Sequence, residues 1–148
     1  MSDHELITSE VCALAGVKPV TLSAWRNRLG FLPRHDERQC RYSFSDLVAT
    51  RLMAILTERG VAASDALRIV ATIVEEVDLD QPGCAKVAVG RQPDGELAAR
   101  TFYWGANDIH DFADDVIIVI SVGAIAWAMY LGICQLRGLA PKINQVAA

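Results

Sequence analysis

Cysteine is sparse and scattered in this 148-residue chain: Cys12, Cys40, Cys84 and Cys134 stand far apart, with no CxxC pair among them. That spacing suggests neither a zinc knuckle nor a disulfide framework. Histidine is scarcer still, and His4, His35 and His110 are isolated from one another. We therefore expect no metal and no cofactor. Asp108, His110, Asp111, Asp114 and Asp115 lie close in sequence, but neither a nucleophile nor a glycine-rich phosphate loop accompanies them. They read as a solvated acidic loop, and no enzyme is expected. The first ten residues are polar and acidic, without the basic and apolar regions of a signal peptide, which places the protein in the cytoplasm. Excess positive charge is also missing, since the formal net charge is −4.

What is present is apolar content and a lopsided charge distribution. Apolar residues make up 52% of the chain, enough for a substantial core. A mean hydropathy of +0.24 is high for a soluble protein of this size and implies apolar surface at a subunit interface or in a membrane. Between Lys18 and Arg41 the local balance is +4, whereas from Glu75 to Asp115 it is −7. A basic face near the N-terminus suits a polyanion that the acidic middle would repel.

That basic stretch carries a helical pattern. Ile7, Val11, Leu14 and Ala15 fall at helical spacing, with Thr8 or Ser9 as a cap, Glu10 in the first turn and Gly16 as the stop. A second helix is expected over residues 17–29. Pro19 suits its first turn, and Leu22, Trp25 and Leu29 form its apolar face. Leu22 and Trp25 read as core residues. Two short helices joined at a glycine match a helix-turn-helix, in which the second helix enters the major groove. The candidate DNA contacts are then Lys18, Thr21, Ser23, Arg26, Asn27 and Arg28 on that helix. Arg34, Arg38, Arg41 and Tyr42 in the following basic loop are candidates for the wing and the phosphates. The flanks of that loop could pair as a small hairpin. Two further helices follow, one starting at Ser45-Asp46 and stopping at Gly60, the other capped by Ser64 or Asp65 and ending near Glu76.

The ordered series Ala15-Gly16-Val17, Pro19, Thr21-Leu22, Trp25, Gly30-Phe31-Leu32-Pro33, Arg41-Tyr42-Ser43, Asp46-Leu47 and Gly60 resembles the winged-helix DNA-binding domain of the MerR family of transcription regulators. The resemblance covers about half of the chain. It implies a winged helix-turn-helix that binds double-stranded DNA. Related winged helices in phage excisionases and terminase small subunits keep a second reading open, that of an architectural DNA-binding protein. Ser23 and Ala24 stand where many family members have an arginine and a tyrosine, which leaves Arg26 and Arg28 to compensate. The family's long dimerising helix has no counterpart, because Gln81-Pro82-Gly83 breaks the chain after an acidic segment.

Beyond residue 84 the period changes. Two strand-like runs flank Pro93-Asp94-Gly95, a hairpin signal, and residues 116–120 form a β-branched run of strand length. From residue 122 to 136 the composition favours a helix. The uncharged run 116–133 reaches the length of a membrane span. Its β-branched start, its interruption by Ser121, Gly123 and Gly132, and acidic residues on the flank facing the DNA-binding end all favour a buried strand and helix instead. The expected architecture is α+β: a winged helix-turn-helix over residues 1–76, an acidic linker over 77–83, a small antiparallel β-hairpin or sheet with an apolar helix over 84–140, and a tail over 141–148. A helix so apolar needs cover on all sides, and a homodimer burying Ile125, Trp127, Met129, Tyr130 and Ile133 would supply it. The expected function is that of a homodimeric transcription regulator on an inverted-repeat operator. The C-terminal module leaves room for a small-molecule effector, and a ligand-sized pocket lined by Trp104, Phe112 and Trp127 would point to a third reading, an enzyme or sensor seated there.

Overall fold

The computed structural model describes residues 5–32, 41–103 and 116–142. A two-residue strand β1 (Leu6–Ile7) leads into α1 (Thr8–Ala15). The expected Thr8 or Ser9 cap is not formed. Ile7 occupies the capping position in extended conformation, and the Glu10 carboxylate accepts its backbone N–H at 3.0 Å. At the other end Gly16 adopts φ +70°, and the Val17 N–H reaches the Cys12 carbonyl at 3.0 Å. This left-handed ending satisfies helix-terminal carbonyls and turns the chain sharply.

Helix α2 (Pro19–Leu29) starts two residues later than periodicity alone suggests. Proline forces the residue before it out of the helical region, and Lys18 is accordingly extended at φ −71°, ψ 143°. Trp25 and Leu22 are buried, and Trp25 meets Phe31 edge to face with ring centroids 6.1 Å apart. They anchor α2, as their spacing predicts.

Strand β2 (Arg41–Tyr42) pairs antiparallel with β1, matching Leu6 to Tyr42 and Ile7 to Arg41. Among the described residues the far flank of the basic loop thus pairs with the N-terminal strand. Residues 33–40, including Arg34, Arg38 and Cys40, lie outside the described residues.

Helix α3 (Phe44–Glu58) is the central element and packs against α1, α4 and α5. Ser43 and Asp46 cap it reciprocally. The Asp46 N–H donates to Ser43 Oγ at 3.1 Å, and the Ser43 N–H donates to Asp46 Oδ2 at 2.9 Å. Helix α4 (Ala63–Glu76) buries Ala66, Ile69, Val70 and Ile73, a stripe at helical spacing. Ala62 takes its capping position without a side-chain bond, so the expected Ser64 or Asp65 cap is also absent. Asp65 instead pairs with Arg68 at 2.9 Å. After α4 the acidic segment is held down: Val77 and Leu79 are buried, and Ser45 Oγ donates to Asp80 Oδ2 at 3.0 Å.

Strands β3 (Lys86–Arg91), β4 (Leu97–Phe102) and β5 (Val116–Ser121) form an antiparallel sheet in the order β4-β3-β5. Gly95, at φ +84°, and Gln92 close the β3–β4 turn. Ser121 then caps α5 (Val122–Arg137), its Oγ accepting the Ala124 N–H at 3.4 Å. The uncharged run is thus a strand followed by a helix, and among the described residues no helix is long and apolar enough to cross a membrane. The architecture is α+β with a helical N-terminal half.

The apolar core runs through both halves of the chain. One cluster joins Val11 and Ala15 of α1, Leu52 and Leu56 of α3, Val87 and Val89 of β3, and Ala126, Met129 and Ile133 of α5. Helix α5 is therefore covered largely by its own chain. Of the residues expected at a dimer interface, Met129, Tyr130 and Ile133 are buried inside the protomer, while Ile125 and Trp127 are half-buried against the core.

Candidate nucleic-acid interface

The buried stripe of α2 fixes which side chains turn outward. With Leu22 and Trp25 inside, Ser23, Asn27 and Arg28 are exposed on α2 and Lys18 is exposed at its cap, while Thr21 and Arg26 are half-buried. Helix α2 contains no acidic residue. Lys18 at one end, with Arg26 and Arg28 at the other, gives this surface a positive potential suited to phosphates.

The centre of this surface is a cleft of about 330 Å³ lined by Thr8, Pro19, Leu22, Ser23, Arg26, Asn27 and Tyr42. It lies where α1, α2 and β2 meet. Asn27 Nδ2 donates to Ser23 Oγ at 3.3 Å, one helical turn back. Arg26 Nη1 donates to the Tyr42 hydroxyl at 2.9 Å, with its guanidinium carbon 5.6 Å from the Tyr42 ring centroid. A charge-assisted hydrogen bond and a cation–π contact thus act on one guanidinium.

The expected contacts divide into three groups. Lys18, Thr21, Ser23, Arg26, Asn27 and Arg28 share α2 or its cap. Arg41 is exposed at the strand edge and forms an ion pair with Glu5, equally exposed, which contributes little to stability. Tyr42, expected at the phosphates, is only 1% exposed and accepts the hydrogen bond from Arg26. Arg34 and Arg38 lie outside the described residues.

Two supporting residues escaped sequence reading. Arg51 Nη1 donates to the Ala15 carbonyl at 3.1 Å, tying the end of α1 to α3 next to the Gly16 turn. Its only signal is a cation amid the apolar residues of α3. Arg137, in the last turn of α5, donates to the Glu5 carbonyl at 2.9 Å and to Glu10 Oε2 at 3.4 Å. No sequence pattern links positions that distant.

Elsewhere, a cleft of about 230 Å³ lies between α4 and β4, and another of about 220 Å³ lies beside Leu79. Both are below the size usual for small-molecule sites. The expected Trp104 and Phe112 lining lies outside the described residues. Among the described residues no group of three His, Cys, Asp or Glu is placed to hold a metal ion. Cys12 is buried, and burial pushes its thiol up from the ordinary range.

Two helices meeting at a left-handed glycine, the second with a polar and basic outer face and followed by a strand that closes against the N-terminus, define a helix-turn-helix domain. Residues 8–72, from the start of α1 to within α4, match the model of the MerR HTH family regulatory protein. The N-terminal part of the chain is thus similar to the helix-turn-helix domain of that family. No curated protein matches the chain.

Proposed function

We propose that the protein is a sequence-specific transcription regulator that binds double-stranded DNA as a homodimer, with one α2 in the major groove of each half of an inverted repeat. The observation that carries this reading is the outer surface of α2, where Ser23, Arg26 and Asn27 line one cleft flanked by Lys18 and Arg28. Arginine and asparagine are the side chains whose forked donors and acceptors match guanine and adenine edges. Reading DNA places its work in the cytoplasm.

Pairing falls to the C-terminal module. Of the residues expected there, Ile125 and Trp127 remain available at the flanks of an outer α5 face formed by Ala124, Ala128, Leu131 and Gln135. This face carries no charge, and Arg137, the sole ionic residue of α5, turns away to Glu5 and Glu10. An uncharged exposed helix face is a natural two-fold contact. Joined there, two heads would present their α2 helices to half-sites related by the same axis.

Selection of bound duplexes from a random pool by the full chain tests this function. Enrichment of an inverted repeat is the expected result. A pool that stays unenriched while the protein still binds DNA would reduce it to a non-specific binder.

A further inference from the structure

We infer that Tyr42 is a specificity-determining positioning residue, whose buried hydroxyl holds the Arg26 guanidinium in place for reading a base edge. The inference rests on the DNA-reading role proposed above.

An arginine on a solvated helix face samples many rotamers, and ordering it on DNA costs entropy. Arg26 is restrained by the contacts described: its Nη1 donates to Tyr42 Oη at 2.9 Å, and the ring lies beneath its guanidinium carbon. Tyr42 is itself immobilised. It is 1% exposed, and its strand is in register with Leu6, which is fully buried. The hydroxyl is therefore a fixed point supplied by the β1–β2 ladder to a side chain on α2. A guanidinium carries five N–H donors in a rigid fork, and a bidentate contact to guanine O6 and N7 requires two. An acceptor on one side of the fork orients its plane. Tyr42 touches no DNA in this scheme and acts only through Arg26.

The test uses the full chain with Tyr42→Phe, Arg26→Ala and the double variant, measured on the selected duplex and on unrelated DNA at one salt concentration. Tyr42→Phe keeps the ring and removes the hydroxyl that accepts from Arg26. It should reduce the preference for the selected duplex on the order of tenfold while leaving affinity for unrelated DNA and the salt slope unchanged. In the Arg26→Ala background the same change should have no further effect, because the group it positions is gone. An equal loss in both backgrounds would show a merely structural role and overturn the inference. If Tyr42→Phe melts below the assay temperature, Arg26→Lys decides: it keeps the charge but lacks the planar fork. Its preference should fall to that of Arg26→Ala, and full retention overturns the inference. A wild-type chain with no sequence preference sinks the regulator reading and this inference together. Wild-type preference that survives intact in a folded Tyr42→Phe sinks this inference alone.

Discussion

Gly132 of α5 lies so close to Leu14 of α1 that a Cβ at position 132 would fall 2.7 Å from the leucine Cδ2. The C-terminal helix is thereby seated directly on the first helix of the DNA-binding head. A tighter approach occurs at Gly123, where a Cβ would meet the Gly83 carbonyl oxygen at 2.1 Å. The leucine tip can swing aside, but the backbone carbonyl cannot. Gly132→Ala should cost about 1 kcal/mol, and Gly123→Ala about 3 kcal/mol or more. Chemical denaturation of the two variants gives the comparison, and the order of the two costs is the sharper expectation.

Arg137 ties the last turn of α5 to the strand and helix that open the head, through the Glu5 carbonyl and the Glu10 carboxylate. Arg137→Ala should lower stability by about 1–2 kcal/mol, as expected for charge-assisted bonds that are only partly exposed. Hydrogen exchange should localise the effect, with the amides of β1 and of the first turn of α1 losing protection before those of α4.

Lys18 and Arg28 are exposed at opposite ends of α2. If they meet phosphates, Lys18→Ala and Arg28→Ala should weaken binding to all duplexes by a similar factor. Each should also reduce the slope of log affinity against log salt by about 1. Titrations at several salt concentrations separate this behaviour from the sequence-dependent loss expected at Arg26.

Leu131 is 37% exposed at the centre of the uncharged outer face of α5. Leu131→Glu introduces a charge that would be buried unpaired across a two-fold contact, at a cost of several kcal/mol. Sedimentation should show the variant as a monomer at concentrations where the wild type is a dimer, with little change in the protomer's own unfolding.

Local structure was largely legible in the sequence. Gly16, Gly30 and Gly95 stand where the backbone turns left-handed, Pro19 opens α2, and the shift from β-branched residues to Ala, Trp and Met marks the passage from β5 to α5. Long-range pairing was not legible. The apolar α5 signalled a need for cover, but Leu14 and α3 supply much of it from more than sixty residues away, and helical periodicity does not name its partner. Tyr42 illustrates the same limit at the site. Beside Arg41 in a basic stretch it resembles a phosphate contact. The β1–β2 register turns it inward, and alternation along a two-residue strand is too short to reveal that.

If α2 reads DNA sequence through Arg26, wild type and Arg26→Ala must differ when both are measured on the selected duplex and on an unrelated duplex at one salt concentration. Arg26→Ala should melt near the wild-type temperature and lose preference by about 1–3 kcal/mol. Preference equal to that of the wild type in a folded Arg26→Ala protein would contradict this role of Arg26.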